Sequence, residues 1–190
     1  MAFLVNDPTQ NFATAARIFC SWVESPPGEP SSEVVAALRH LMRLYRAALE
    51  LPERFEDFDA PRVSDEEWKV VFRRFGSLPF NYYAECFDPL TVPCEEPVVS
   101  DLADDLADIW RDIKAGLVLY ETGHPDAAVW EWKQHFQFHW GITRSARCMR
   151  CIAGWRRTRT KCHLTSRSTP TLRAQARSAR ASASLRRVAA

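Results

Sequence analysis

Apolar residues recur at helical spacing along most of the chain, and the pattern predicts a bundle of about five helices. The first helix carries large apolar and alanine side chains at this spacing: Phe12, Ala15, Ala16, Phe19, Trp22 and Val23. Pro26, Pro27 and Pro30 prevent its continuation. The second helix carries a stripe wide enough for the interior of a bundle: Val34, Val35, Leu38, Leu41, Met42, Tyr45, Ala48 and Leu49. We expect Ser31 or Ser32 to cap its start.

A capping box marks the start of the third helix. Ser64 stands three residues before Glu67, so that each side chain can accept from the other's backbone N–H. Residues 76–98 then contain several prolines and aromatic side chains, which predict an irregular connection. No alternating strand pattern competes with the helical interpretation.

The fourth helix is expected to start near Ser100 and to have two distinct faces. Its apolar face is formed by Leu102, Leu106, Ile109, Ile113, Leu117 and Tyr120. Its acidic face, which we expect to be solvated, is formed by Asp101, Asp105, Asp108 and Asp112. Gly123 ends this helix, and Pro125 opens a last helix that is aromatic on nearly all sides. The fold class is therefore all-α, with the bundle over residues 5–141.

Charge divides the chain sharply after Gly141. All 24 acidic residues precede Ile142, whereas 13 of the 25 Lys and Arg residues follow Gly141. We predict that residues 142–190 form a disordered basic tail, and we hypothesise that this tail is read out of frame. The nucleotide sequence between the codons of Trp140 and Cys151 tests this hypothesis. In the given frame, Cys148, Cys151, Cys162 and His163 offer zinc ligands beside arginines that could bind nucleic acid.

Two segments resemble a known family. "SDLADDLADIWRDIKAGLVLYETG" and "VWEWKQHFQFHWG", within residues 99–141, are similar to bacterial proteins of the domain-of-unknown-function 5063 family. The resemblance implies an all-helical fold and no established activity. It also implies that the last helix continues into a segment like "ALRALH", which the neighbouring reading frame can supply as "LHALHRWL". The resemblance further implies that related sequences tend to have other polar or aromatic residues at positions 135 and 139.

Several classes of protein lack support in the sequence. No apolar run approaches the length of a membrane span, and the first residues lack the features of a secretory signal. Cys20, Cys86 and Cys94 are irregularly spaced and do not suggest a disulfide framework. We therefore expect a cytoplasmic protein. With six glycines and no Gly-rich phosphate loop, no cofactor is predicted, and Mg²⁺ or Zn²⁺ is the alternative.

The acidic helix raises one possibility of magnesium chemistry. Asp104, Asp105 and Asp108 form a DDxxD pattern, in which carboxylates one helical turn apart can share a Mg²⁺–diphosphate ion. The competing hypothesis is a solvated first turn in which acidic side chains are favoured by the helix dipole.

A small nucleotide or diphosphate hydrolase is the corresponding enzymatic alternative. It would need carboxylates from two helices to gather Mg²⁺ and activate water. The candidates are Asp101, Asp105, Asp108 and Asp112 on the acidic helix and Glu66, Glu67 or Glu131 on another.

The last helix carries a second candidate metal set. Glu131, His135 and His139 follow each other at intervals of four residues and share one face, where they could bind one ion. Half-buried histidines that satisfy their own hydrogen bonds are the competing hypothesis.

Excess aromatic residues favour a binding function over catalysis. Five of them are candidate anchors for a protein partner or a second copy of the chain: Trp110, Trp130, Trp132, Phe138 and Trp140. The acidic body argues against nucleic acid as a partner. We therefore predict a non-catalytic cytoplasmic interaction or accessory protein that binds no membrane.

Overall fold

The computed structural model describes residues 7–56, 58–85, 92–93, 96–145 and 148–155, with the backbone alone at 142–145. The chain divides into two units, Met1–Ile152 and Ala153–Ala190. In the second unit the described residues are 153–155, which are helical. All other described residues belong to the first unit.

The described part of the first unit is a helical bundle with one small sheet. Its α-helices are α1 (Pro8–Glu24), α2 (Pro30–Leu49), α3 (Asp65–Phe75), α4 (Leu102–Glu121) and α5 (Pro125–His135). Its strands are β1 (Tyr82–Glu85) and β2 (Val98–Asp101), and a π-helix follows α5 at Phe136–Ser145. Residues 148–152 are also helical. The all-α class is confirmed, and helical structure extends beyond residue 141, the predicted end of the bundle.

Side-chain caps explain where the helices start. The predicted capping box is present, because the Ser64 hydroxyl accepts from the Glu67 N–H at 3.3 Å and the Glu67 carboxylate accepts from the Ser64 N–H at 2.9 Å. The predicted cap of α2 was wrong. Glu29 takes that role, and its carboxylate accepts from the backbone N–H of Ser32 at 3.0 Å. Pro30 can therefore occupy the first helical position, where no N–H is needed.

The small sheet is a feature that the hydrophobic pattern did not predict. β1 and β2 pair antiparallel, with Tyr82 opposite Asp101 and Glu85 opposite Val98. Each strand has only four residues, YYAE and VVSD, and neither alternates apolar and polar positions. Asp101 then caps α4, since its carboxylate accepts from the Ala103 N–H at 2.9 Å. The sheet thus holds β1 beside the first turns of α4.

Helix α4 lies at the centre of the bundle and contacts α1, α3 and α5. Its apolar face is largely buried, as predicted. The predicted solvated acidic face is wrong for Asp105, Asp108 and Asp112, which are only 6%, 7% and 5% exposed. These carboxylates are buried because neighbouring elements cover α4 on several sides and supply polar partners for each of them.

The contact between α4 and α5 depends on a glycine. A Cβ atom at Gly116 would lie 2.3 Å from Nε1 of the Trp132 indole, so only glycine admits the ring at this place. The indole Nε1–H donates to the backbone carbonyl of Ile113 at 3.0 Å. Trp132 is completely buried and also packs against Phe12 of α1, with ring centroids 4.6 Å apart. This indole therefore fixes the separation of α4 and α5.

We expect Gly116→Ala to lower the free energy of unfolding by about 1–3 kcal/mol, because the new methyl group must displace a buried indole. Urea denaturation followed by circular dichroism measures the change. Gly154→Ala is the matched control, since a Cβ there meets no atom within 4 Å. Equal stability of the two variants would show that the indole does not need the glycine.

Candidate metal centre

The three buried aspartates of α4 contact three different groups of partners. Tyr83 Oη donates to Asp105 Oδ2 at 2.5 Å, and the Cys148 thiol lies 3.7 Å from the same oxygen. Asp108 accepts from the Trp68 indole at 2.9 Å and from the Arg111 guanidinium at 2.8 Å. The remaining carboxylate, Asp112, faces the histidines of the last helix. The three aspartates therefore lie on one helix, but each of them contacts different side chains.

Asp112 and two histidines form the candidate centre. Nδ1 of His135 lies 3.3 Å from Asp112 Oδ1, and Nδ1 of His139 lies 2.5 Å from Asp112 Oδ2. One ligand atom from each of the three residues lies within 4.8 Å of the others. Among the described residues, no other group of three or more His, Cys, Asp or Glu side chains meets this condition. Two imidazoles and one carboxylate are a ligand set for zinc and related divalent ions.

Glu131 lies behind His135. Its Oε1 is 3.0 Å from Nε2 of His135, on the opposite side of the ring from Asp112. An imidazole that binds a metal through one nitrogen commonly donates its other N–H to a carboxylate, which fixes the tautomer and the ring orientation. The predicted metal set of Glu131, His135 and His139 stays a prediction. In the structure the carboxylate that contacts both histidines is Asp112, and Glu131 contacts His135 alone.

The same contacts shift the pKa values of the cluster. Hydrogen bonds to Asp112 and Glu131 raise the pKa of His135 to about 10, although burial opposes the charged form. Burial alone would raise the pKa of Asp112, but hydrogen bonds from His135 and His139 outweigh it and lower that pKa. At neutral pH the metal-free cluster therefore holds a proton on His135 that pairs with the Asp112 carboxylate.

The π-helix carries His139 to this centre. A Cβ atom at Gly141 would lie 2.2 Å from the carbonyl oxygen of Phe136, so the backbone needs glycine there. The Phe136 ring packs edge-to-face against the buried Trp140 indole, with ring centroids 4.9 Å apart. Such π-helical segments occur often at functional sites. Phe136 and Trp140 thus anchor the segment, while His139 between them faces Asp112.

An open cleft adjoins the cluster. It has a volume of about 530 Å³ and is bordered by α4, α5 and the segment that precedes α3. Asp112, Glu131 and His135 belong to its lining, together with Arg62 and Arg111. A small ligand can therefore reach the candidate centre from solvent.

Three other predicted ligands have structural roles. Asp101 caps α4, Glu67 completes the capping box, and Glu66 forms an ion pair with Lys69 at 2.9 Å. Asp104 is half-buried and does not join a ligand cluster among the described residues. The DDxxD hypothesis of a shared Mg²⁺–diphosphate ion stays a prediction.

The predicted cysteine sites are only partly within the described residues. Cys148 is buried and Cys151 is half-buried, and neither forms a disulfide bond among the described residues. Cys162 and His163, the other members of the predicted zinc set, lie outside the described residues, as do Cys86 and Cys94.

The five candidate aromatic anchors do not share one surface. Trp132 and Trp140 are fully buried, and Trp110 is 4% exposed. Trp130 is half-buried and packs edge-on against Phe55, whereas Phe138 is 78% exposed. Most of the aromatic excess therefore lies in the core.

Within the described residues, no helix combines the length and the apolar character of a membrane span.

Comparisons with known proteins agree with this fold. The chain is similar to the crystal structure of protein BF1032 from Bacteroides fragilis, with a TM-score of 0.64 and 23% sequence identity. That match covers 78% of this chain and 91% of the other, and at this identity it shows the fold alone. No curated protein matches the chain. The family model for the domain of unknown function DUF5063 matches residues 4–153, and the chain belongs to this family.

Proposed function

We propose that the protein binds a divalent transition-metal ion at Asp112, His135 and His139. The observation that carries the proposal is the arrangement around His135, with Asp112 at one ring nitrogen and Glu131 at the other. Because the family resemblance implies other residues at positions 135 and 139, the proposal concerns this chain rather than the whole family. A hydrogen-bonded ion-pair cluster without metal is the competing account.

The donor set favours zinc or a similar ion over magnesium. Mg²⁺ prefers six oxygen ligands and keeps several waters, whereas two imidazole nitrogens suit Zn²⁺, Fe²⁺ or Co²⁺. The present N···O separations of 2.5 and 3.3 Å are those of direct hydrogen bonds. Binding of an ion would replace these hydrogen bonds by metal–ligand bonds to the same atoms.

Three protein ligands would leave coordination positions open towards the cleft. Structural zinc sites have four protein ligands, whereas sites with three keep a position for water or substrate. A bound ion of this kind acts as a Lewis acid and lowers the pKa of bound water. In this chain Asp112 and the two histidines would hold the ion, and Glu131 would orient His135. This arrangement favours a centre that can accept a ligand over a purely structural one.

Zinc is expected to raise the melting temperature of the protein, since a ligand at 100 times its Kd stabilises the folded state by about 2.7 kcal/mol. His139→Ala should remove most of this effect and weaken zinc binding more than loss of a supporting residue does, because it deletes a direct ligand. Glu131→Gln should weaken binding by about 10–100-fold through loss of the supporting carboxylate. Thermal melts and competition with a zinc chelator measure both variants.

Gln137→Ala is the control for these variants, because Gln137 is exposed in the same π-helix. It should bind zinc as the unchanged protein does. If His139→Ala and Gln137→Ala bound zinc equally, the cluster would be an ion-pair network and the proposed metal centre would be wrong.

Metal binding should release about one proton at pH 7. In the metal-free protein the pKa of His135 is about 10, so His135 is protonated at neutral pH and must lose a proton before Nδ1 can bind an ion. The apparent affinity should therefore rise with pH up to about pH 10. Isothermal titration calorimetry in buffers of different ionisation enthalpy counts the released protons. Binding without proton release would contradict the assignment of His135 as a ligand.

A second candidate function is the predicted interaction or accessory role in the cytoplasm. Exposed apolar side chains on two elements in contact favour it, namely Met42 and Leu49 of α2 and Phe138 of the π-helix. Within the described residues Cys20, Cys148 and Cys151 form no disulfide bond, which is consistent with a reducing compartment. Light scattering over a range of protein concentrations tests self-association. A monomer at every concentration would contradict a homo-oligomeric form of this role.

A further inference from the structure

Two arginines line the cleft beside the candidate centre. Arg111 makes one ion pair among the described residues, between its Nη2 and Asp108 Oδ1 at 2.8 Å, and its side chain is 40% exposed. Arg62 is exposed, and no ion pair to it occurs within the part of the chain that the structure describes. A guanidinium group has five N–H donors, so one ion pair leaves donors of Arg111 available to a ligand. The cleft therefore combines a candidate metal centre with two planar groups suited to oxyanions.

A bound metal ion would offset the negative charge of the centre. One carboxylate and two neutral imidazoles around a divalent ion leave a single net positive charge, which the Glu131 carboxylate beside His135 balances. Arg62 adds a positive charge at the cleft, whereas that of Arg111 is largely balanced by Asp108. A ligand oxygen could fill an open position on the metal while its other oxygens accept from guanidinium N–H groups.

Two exposed carboxylates in the cleft limit the charge of such a ligand. Asp59 and Asp65 line the same cleft and are exposed. They would disfavour a ligand that carries more than one anionic group. The cleft volume of about 530 Å³ exceeds that of a lone oxyanion and leaves room for an organic substituent.

We propose that this cleft binds a phosphate monoester, with one phosphoryl oxygen on the metal ion and others on Arg62 and Arg111. The proposal rests on the metal centre proposed above and adds the class of ligand. Phosphate suits the site better than carboxylate, because it offers three terminal oxygens to three separate partners. Diphosphates are disfavoured because their second phosphate would approach Asp59 or Asp65.

Cobalt serves as the probe, because its visible absorption bands report the ligands of the ion. The full chain is loaded with Co²⁺ and titrated at low salt with inorganic phosphate, phenyl phosphate, acetate and pyrophosphate. We expect phosphate and phenyl phosphate to change the bands and to bind about 10-fold more tightly than acetate or pyrophosphate. Phenyl phosphate that binds no more weakly than inorganic phosphate supports an ester ligand.

Arg62→Gln tests the anion site without touching a metal ligand. We expect it to leave cobalt binding unchanged and to weaken phosphate binding by about 10-fold, because one charge-assisted hydrogen bond is lost. Arg43→Gln is the control, since Arg43 lies in a separate groove between α1 and α2. Thermal melts verify that both variants are folded.

The outcomes separate the two proposals. If cobalt does not bind, the metal centre itself is wrong. If cobalt binds but phosphate leaves the bands unchanged, the phosphate site is wrong and the metal centre stands. The phosphate site is equally wrong if acetate or pyrophosphate binds as tightly as phosphate, or if Arg62→Gln and Arg43→Gln behave alike.

Discussion

The close packing of Trp132 on Gly116 is the constraint on which the rest of the centre depends. The indole lies where a Cβ atom of residue 116 would be, and its N–H is satisfied by the carbonyl of Ile113. Asp112 immediately precedes Ile113, and His135 follows Trp132 by three residues, so both point into the same interhelical space. A larger separation of α4 and α5 would move the histidine away from the carboxylate. The packing of Trp132 on Gly116 thus sets the distance between Asp112 and His135.

Helix α4 carries three buried carboxylates. Removing one partner of a buried carboxylate leaves an uncompensated charge, which costs about 3–5 kcal/mol. Contacts with Tyr83, with Trp68 and Arg111, and with the two histidines therefore stabilise Asp105, Asp108 and Asp112, respectively. These contacts tie β1, α3 and the last helix to α4. The acidic helix organises its neighbours and at the same time presents one carboxylate to the cleft.

Local patterns in the sequence predicted the helices and their class. The Ser64–Glu67 capping box, the end of α4 near Gly123 and the start of α5 at Pro125 are all present, because each depends on residues close in sequence. The burial of Asp105, Asp108 and Asp112 was missed, because it depends on partners that are distant in sequence. These partners lie 22 and 43 residues from Asp105, 40 residues from Asp108 and 27 residues from Asp112. The period of the acidic residues indicated one shared face, but only tertiary structure shows what covers it.

The candidate centre was predictable in part. Spacing of four residues placed His135 and His139 on one face of the last helix, but it assigned Glu131 as their companion. The third member, Asp112, comes from another helix, and its choice over Asp105 or Asp108 depends on the contact between α4 and α5. Arg62 and Arg111 had no signal in the sequence, because a lone arginine is ordinary until a cleft forms around it. Only their shared position along the cleft distinguishes them from the other arginines of the chain.

The zinc absorption-edge spectrum of the zinc-loaded full chain tests the metal centre most directly. Extended fine structure reports the number, type and distance of the ligands. We expect two imidazole nitrogens at about 2.0–2.1 Å and oxygen ligands at about 2.0–2.2 Å, with one imidazole lost in His139→Ala. A shell containing sulfur, or a spectrum unchanged by His139→Ala, would contradict a centre formed by Asp112, His135 and His139.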